Sequence, residues 1–476
     1  MTDRFGRMSR RGLFGVGLAV TAGTVLAACG SGDSERGDDG GEPADSMAMS
    51  TDPVAVATDA YIFGYPLVLI DATRGTDLPV DTFMHAAALP TPADRVAART
   101  DLDTLRSQAW LDLSAEPLVL QIPATDGNRY WLMQLIDAWS NTAHNPSSVR
   151  PQVVSGTEPP FTYLVTGPGW TGTVPAGMTR LAMNTNRVWV VGRIQLDGPD
   201  DIDAVRAIQQ RIKLAPLHAY LADPGISTPG VMFDATAPGE SARDTVAGMT
   251  PAAYFTKLCE LMATDPPAAA DAPAMQRFAS LGIAPGGTLT AEPGGLSAGV
   301  QAAKSAIAGY ADPAVQSPNG WTFSPGTGTY GTDYLLRAHV ARTGLGANLP
   351  EDVIHPTFAG VADYRGTPQR FRIRFDAGQL PPAGVFWSIT AYDADGFLMG
   401  NPAGIYAVGH RIPVTAGPDG SVDVAVQHAD PGSDVPEGNW LPIAAFGRFT
   451  LTMRLYAPTP EAVQGRWQPP LLETVG

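Results

Sequence analysis

Short apolar runs, each closed by turn-forming residues, recur along this chain and limit what it can fold into. Glu116 to Pro123, Tyr130 to Trp139, Phe161 to Thr166, Met178 to Met183 and Val188 to Ile194 each have the length of a single strand. Thr125-Asp126-Gly127-Asn128 and Asn184-Thr185-Asn186 punctuate them with residues that favour tight turns. The Asp-Gly signal predicts a hairpin joining the first two runs. The second half repeats the pattern. Phe371 to Phe375 alternates apolar and basic residues, and Val385 to Tyr392 leads into the Asp393-Ala394-Asp395-Gly396 turn and Phe397-Leu398-Met399. Val422 to Gln427 and Phe446 to Tyr456 follow. The 52 glycines and 43 prolines among 476 residues argue against a long coiled coil or a large helical bundle. They fall short of a disordered composition, and 44% hydrophobic residues can build real cores.

Helical patterns interrupt the strands. Asp52-Pro53 reads as an N-cap followed by proline at the first helical position. That helix is expected to break at Gly64-Tyr65-Pro66. Residues 200–310 read as a helical segment, with one helix running from Asp201-Ile202-Asp203 through Leu217. Tyr254 to Met262, Met275 to Leu281 and Ala298 to Tyr310 add others, and Tyr334 to Thr343 forms one ended by Gly344. The expected fold is mainly β with a helical insert, an α+β chain built on two jelly-roll-like β-sandwich domains. The expected division is an export signal over 1–29, a tether over 30–52, a β-sandwich over 53–199, the helical segment over 200–310 and a second β-sandwich over 311–476.

The first thirty residues read as an address. Ser9-Arg10-Arg11 with Leu13-Phe14 resembles a twin-arginine export signal, with Leu and Phe in swapped order. An apolar run then leads to Leu26-Ala27-Ala28-Cys29, which resembles a lipobox. Cys29 would carry lipid and hold the protein on the outer face of the bacterial cytoplasmic membrane. The Gly-, Asp- and Ser-rich residues 30–52 would form a flexible tether. After processing, Cys259 is the one other cysteine, so no internal disulfide is expected, and its amphipathic setting predicts a buried, inert thiol. The net charge of −16 argues against nucleic acid as a partner. Cleavage before Cys29 removes four arginines and one aspartate, leaving about −19.

Several runs carry a family resemblance. Ala60-Tyr61-Ile62-Phe63-Gly64-Tyr65-Pro66, Arg99-Thr100-Asp101-Leu102-Asp103-Thr104-Leu105, Ala109-Trp110-Leu111-Asp112-Leu113 and Tyr130 to Asp137 resemble domain of unknown function 1254. Tyr334-Leu335-Leu336-Arg337-Ala338, Leu380-Pro381-Pro382, Phe386 to Thr390, Asn439-Trp440-Leu441-Pro442 and Met453-Arg454-Leu455-Tyr456 resemble its partner, domain 1214. Asp101 stands where the first family has Asn, and Arg106 where it has Tyr. The resemblance implies two jelly-roll-like sandwiches with a helical segment and no established activity.

The candidate chemistry lies in the same runs. Arg99, Asp101 and Asp103 form the expected catalytic set, because paired carboxylates can divide general-acid and general-base roles. The opposing interpretation is an arginine–aspartate network that pins a loop. Arg106, Tyr130, Gln134, Trp139 and Asn141 are the expected ligand-binding set, since rings beside amides suit a sugar face. Packing in the core is the alternative for those rings. In the strand, Tyr130, Leu132, Gln134 and Ile136 share one face, with Trp131, Met133, Leu135 and Asp137 on the other.

Other motifs carry less. Gly295-Leu296-Ser297-Ala298-Gly299 lacks the buried strand of a nucleophile elbow, so Ser297 reads as a helix N-cap. Asp393 to Gly396 reads as a hairpin turn, lacking the further ligands of a calcium loop. The seven histidines are scattered, and no cofactor or local metal site is expected. The combined expectation is a lipid-anchored envelope protein that binds a glycan or other small ligand. A hydrolase or lyase using the Asp pair, and a structural assembly protein, are the alternatives, and an oligomer is compatible with each. Replacing Cys29 with alanine should release the protein from membranes or block its processing; unchanged membrane retention and unchanged mass would refute the anchor.

Overall fold

The computed structural model describes residues 51–75, 78–95, 97–233 and 241–475. The export signal, Cys29 and nearly all of the tether lie outside the described residues. The described residues form one compact unit.

Helix α1, Pro53–Arg74, starts as the sequence predicts: the Asp52 carboxylate accepts from the backbone of Val54 and Ala55. It does not break at Gly64-Tyr65-Pro66 but runs through all three. Packing explains this. Every residue from Ala60 to Ile70 is buried. Gly64 admits Leu258 so closely that a Cβ there would meet it at 2.5 Å. A helix apolar on all sides has to be enclosed. By length and composition α1 could cross a membrane, but here it is sheathed by other helices and is mostly buried.

The N-terminal strands are β1 Phe83–Ala86, β2 Thr104–Asp112, β3 Leu118–Ile122, β4 Trp131–Asp137, β5 Thr142–His144, β6 Phe161–Thr166, β7 Thr179–Ala182, β8 Arg187–Gln195, β9 Lys213–Pro216 and β10 Val231–Phe233. They make a six-stranded sheet, β10-β1-β2-β8-β4-β5, and a four-stranded sheet, β7-β6-β3-β9. Leu105, Trp131, Met133 and Val190 of the first pack against Leu118, Leu120, Tyr163 and Leu214 of the second. β4 alternates as the sequence predicts.

Two expectations are corrected here. β3 and β4 do not form a hairpin; they lie in different sheets. The turn between them is a crossover, tied down by Arg129, which pairs with both Asp126 and Asp201. β4 is buried on both faces, so it takes a place inside the larger sheet. Residues 200–310 also contain two strands. Helix α2, Ile202–Arg211, stops well before Leu217, and β9 and β10 then join the two sheets, with α3 Leu217–Ala222 after β9.

The helical layer comprises α4 Ala242–Gly248, α5 Pro251–Thr264, α6 Ala272–Phe278, α7 Pro293–Gly309 and α8 Tyr334–Gly344, gathered around α1. Cys259 is a free, buried thiol in this layer, as expected. Ser297 is not an N-cap: α7 begins after Glu292, and the exposed Ser297 hydroxyl donates to the Pro293 carbonyl within the helix.

The C-terminal strands are β11 Trp321–Thr322, β12 Val353–Ile354, β13 Thr357–Val361, β14 Asp363–Tyr364, β15 Thr367–Pro368, β16 Arg370–Phe375, β17 Trp387–Asp393, β18 Ala407–Gly409, β19 Val422–Gln427, β20 Trp440–Pro442, β21 Arg448–Tyr456 and β22 Leu472–Val475, with a short helix α9, Pro460–Val463. The sheet β11-β13-β21-β17-β18, with β12 on β21, faces the sheet β20-β19-β16-β22. Ile389, Leu451 and Met453 meet Ile373, Val424 and Leu441 between them. The chain is thus mainly β with a helical layer.

One close approach can be tested. A Cβ on Gly299 of α7 would lie 2.6 Å from the Ala57 Cβ and 2.9 Å from the Val54 carbonyl of α1. Gly299→Ala should cost about 1–3 kcal/mol. Gly294→Ala, where a Cβ meets nothing within 4 Å, should stabilise by up to about 1 kcal/mol. Thermal melts of both variants check the pair.

Candidate functional site

The outer face of the six-stranded sheet is covered in sections. Ile70 of α1 and Leu345 lie over Trp110, Ile136 and Trp189. At the other end, Val353, Phe386 and Tyr456 cover Tyr130 and Leu132. Between these covers sit Arg106 and Arg193, direct register partners on β2 and β8. Both are only partly buried, with 21% of the Arg193 side chain exposed.

Asp101 closes one side of this recess. Its carboxylate accepts from the Asp103 amide at 2.8 Å, from Arg193 at 3.2 Å, from the Tyr456 hydroxyl at 2.8 Å and from the Thr104 hydroxyl. Burial alone would raise its pKa. The Arg193 and Arg454 guanidiniums, with the Thr104 and Asp103 donors, overcome this and hold it below the ordinary value. Asp103 goes the other way. It is 1% exposed, and burial followed by the Asp101 charge lifts its pKa to about 7, although the Ser388 hydroxyl donates to it.

The C-terminal module presents a buried polar row to this segment: Ser388, Thr390, Thr452 and Arg454. Arg454 donates to the Thr390 hydroxyl, the Tyr392 hydroxyl and the Arg99 carbonyl. Tyr392 donates to the Thr100 carbonyl and Arg411 to the Leu102 carbonyl. Residues 99–103 are therefore gripped by backbone as well as side-chain bonds. Arg99 itself takes a left-handed φ of 53°, a conformation costly for a side chain this long.

His355 follows β12. It is solvent-exposed and lies close enough to Arg454, Arg193, Asp101 and Arg99 to feel their charges. Desolvation first, then the charges of Arg454 and Arg193, lower its pKa to about 3. It is neutral at physiological pH, able both to donate and to accept. Arg106, lowered to about 10 by burial and by Arg193, remains charged. The recess therefore combines several guanidiniums, one ionised carboxylate and a neutral imidazole.

Of the residues expected from the sequence, Arg99, Asp101, Asp103 and Arg106 come together here. Tyr130 lies in the apolar cover, its ring 5.7 Å from that of Tyr456. Gln134, Trp139 and Asn141 do not join them. Gln134 is fully buried and binds the Gly346 and Ala347 carbonyls and Asn348. Trp139 packs on Phe63 under Arg337 in the helical core. Asn141 binds the Asp137 carboxylate. Arg193, His355, Arg454 and Tyr456 were not singled out from the sequence. A lone arginine inside the apolar Val188–Ile194 run was a usable signal for Arg193; His355 had none nearby.

Among the described residues, no three or more His, Cys, Asp or Glu side chains gather as a metal site would require. Asp393 forms a turn, accepting from the Asp395 and Phe397 amides and pairing with Arg95. A hollow of about 500 Å³ lined by Gln121, Pro160, Arg211 and Lys213 lies away from the recess and brings no acid–base pair together.

Residues 80–216 match the family described as "Protein of unknown function (DUF1254)", and residues 361–460 match "Protein of unknown function (DUF1214)". Two separate segments of the chain thus match these two families. The VPA0106 protein from Vibrio parahaemolyticus has a similar crystal structure, with a TM-score of 0.66 and 20% identity over 89% of this chain and all of that one. An uncharacterized protein from Burkholderia cenocepacia aligns over 89% of this chain and 94% of that one, with a TM-score of 0.44 and 13% identity. No curated protein matches the sequence. The recess draws Asp101, Arg106 and Arg193 from the first matched segment and Arg454 and Tyr456 from the second, with His355 between them.

The Asp103 shift has a testable sign. Its folded pKa lies above the unfolded value, so the native state holds the extra proton between about pH 4 and 7. The stability this contributes is complete at acid pH and lost as pH rises through 7. His355, lowered in the fold, acts in the opposite sense, and its effect is complete once pH exceeds its ordinary value. Asp103→Asn should therefore gain thermal stability relative to wild type from pH 6 to pH 8.5, by about 1–2 °C. A difference in Tm that does not change with pH would contradict the assignment.

Proposed function

We propose that this chain is an exported protein, lipid-anchored through Cys29 on the outer face of the cytoplasmic membrane, that binds a small polar ligand in the Arg106–Arg193 recess. One observation carries this reading. Charged groups from separate segments converge on a partly accessible part of a sheet face that is otherwise covered by apolar packing. Ligand sites favour such seams between modules.

A glycan remains the expected class, recognised through hydrogen bonds to its hydroxyls. Ring stacking has little support, since Tyr130 and Trp139 are interior. Catalysis is a second reading, favoured by the opposite pKa displacements of Asp101 and Asp103. In it Asp101 touches the ligand, while Asp103, almost wholly buried, acts through its neighbour. An assembly protein without a ligand is the third.

A thermal-shift panel of sugars, uronates, organic acids and phosphates separates these. A ligand at 100 times its Kd should stabilise by about 2.7 kcal/mol, and His355→Ala should weaken that response. New reducing ends from envelope polysaccharides would establish catalysis. No stabilisation by any compound would sink the binding reading and favour assembly.

A further inference from the structure

The recess has a definite sign of charge. We propose that its ligand carries an oxyanion, a carboxylate or a phosphate, gripped by Arg106 and Arg193 with Arg99 beside them. This rests on reading the recess as the binding site.

Like charges directly opposite on neighbouring strands repel, and Arg106 and Arg193 occupy such a pair. The protein supplies little to offset them. Arg193 has Asp101 at 3.2 Å, and Arg106 donates to the neutral Gln108 amide oxygen at 2.7 Å. The Nε atoms of both are buried without an acceptor. Arg99 is solvent-exposed, and among the described residues no hydrogen bond or ion pair engages its guanidinium, which leaves that side chain free to reach a ligand rather than strained. Two other enclosed arginines of this chain are each neutralised by a pair of carboxylates, although Arg337 and Arg411, like Arg106 and Arg193, also bury an unpartnered Nε. Arg129 takes Asp126 and Asp201, and Arg187 takes Asp71 and Asp265. Arg454, the most enclosed of the local guanidiniums, is saturated by carbonyl and hydroxyl oxygens.

Leaving guanidiniums short of acceptors in a partly dry site is costly. A bound oxyanion supplies acceptors to the part of these guanidiniums that remains accessible, and its charge offsets the repulsion between them. Planar guanidiniums offer paired donors matched to two oxygens of a carboxylate or phosphate. Asp101 offsets one of the positive charges, so the site suits a ligand with one or two negative charges. The neutral His355 and the Gln108 amide then serve the ligand's uncharged hydroxyls.

The test is calorimetric titration of the full chain in detergent with galacturonate, galactose and inorganic phosphate. Galacturonate should bind saturably and galactose at least tenfold more weakly. Arg193→Gln and Arg99→Gln should each weaken the anion at least tenfold. Arg99→Gln removes no protein–protein hydrogen bond of that side chain, so its folding is the safer. Saturable binding of phosphate alone, with the same variant sensitivity, would also support the oxyanion site and assign it to free phosphate. Galactose binding as tightly as galacturonate would overturn the oxyanion while leaving the recess a binding site. Anion binding undiminished in both folded variants would also overturn it. No binding by any of the three, with no hit in the wider panel, would overturn both readings.

Discussion

A β-sheet that is apolar on both faces must be covered on both. This requirement organises the molecule. One face of the six-stranded sheet meets the smaller N-terminal sheet. The other is shared among α1, the segment around Leu345 and Val353, and the C-terminal module. Covers of different origin do not meet edge to edge. The partly exposed strip between them holds Arg106 and Arg193. Site and seam are thus products of the same packing problem.

The seam between the β modules is polar. Ser388, Thr390 and Arg454 are buried, and their bonds go to Asp103, to Tyr392 and to the backbone at Arg99. Such a contact specifies one register, since a slipped arrangement would leave buried donors without acceptors. Gln134 does similar work nearby, fixing the Gly346–Asn348 turn to β4. Gly346, with a φ of 77°, lets that turn pass close over Trp189. Asp101 and Arg106, where this sequence differs from the run it resembles, both lie in the recess.

Much of the fold was legible because it is written locally. The Asp52-Pro53 cap, the alternation in β4 and most strand positions depend on neighbours within a few residues. What was not legible depends on distant partners. Pro66 remains helical because surrounding helices enclose it, and the Thr125–Asn128 turn is a crossover because its strands find other mates. The site divides in the same way. Arg99, Asp101, Asp103 and Arg106 stand close together in sequence and in space. His355, Arg454 and Tyr456 join them only through the packing of the second module. The alternation that placed Gln134 on a face could not say that the 346–348 turn would occupy its amide.

The enclosure of α1 has a consequence for how the protein is made. Its sheath includes α7 and α8, which end at Gly309 and Gly344. The first described helix to leave the ribosome is therefore among the last to find shelter. At 5–20 residues per second, synthesis from Arg74 to Gly344 takes roughly 15–50 s. For most of that time a 22-residue apolar helix lacks most of its helical partners, the first of which begins at Ala242. A chain built in this order depends on something else to hold that helix until its own C-terminal half arrives.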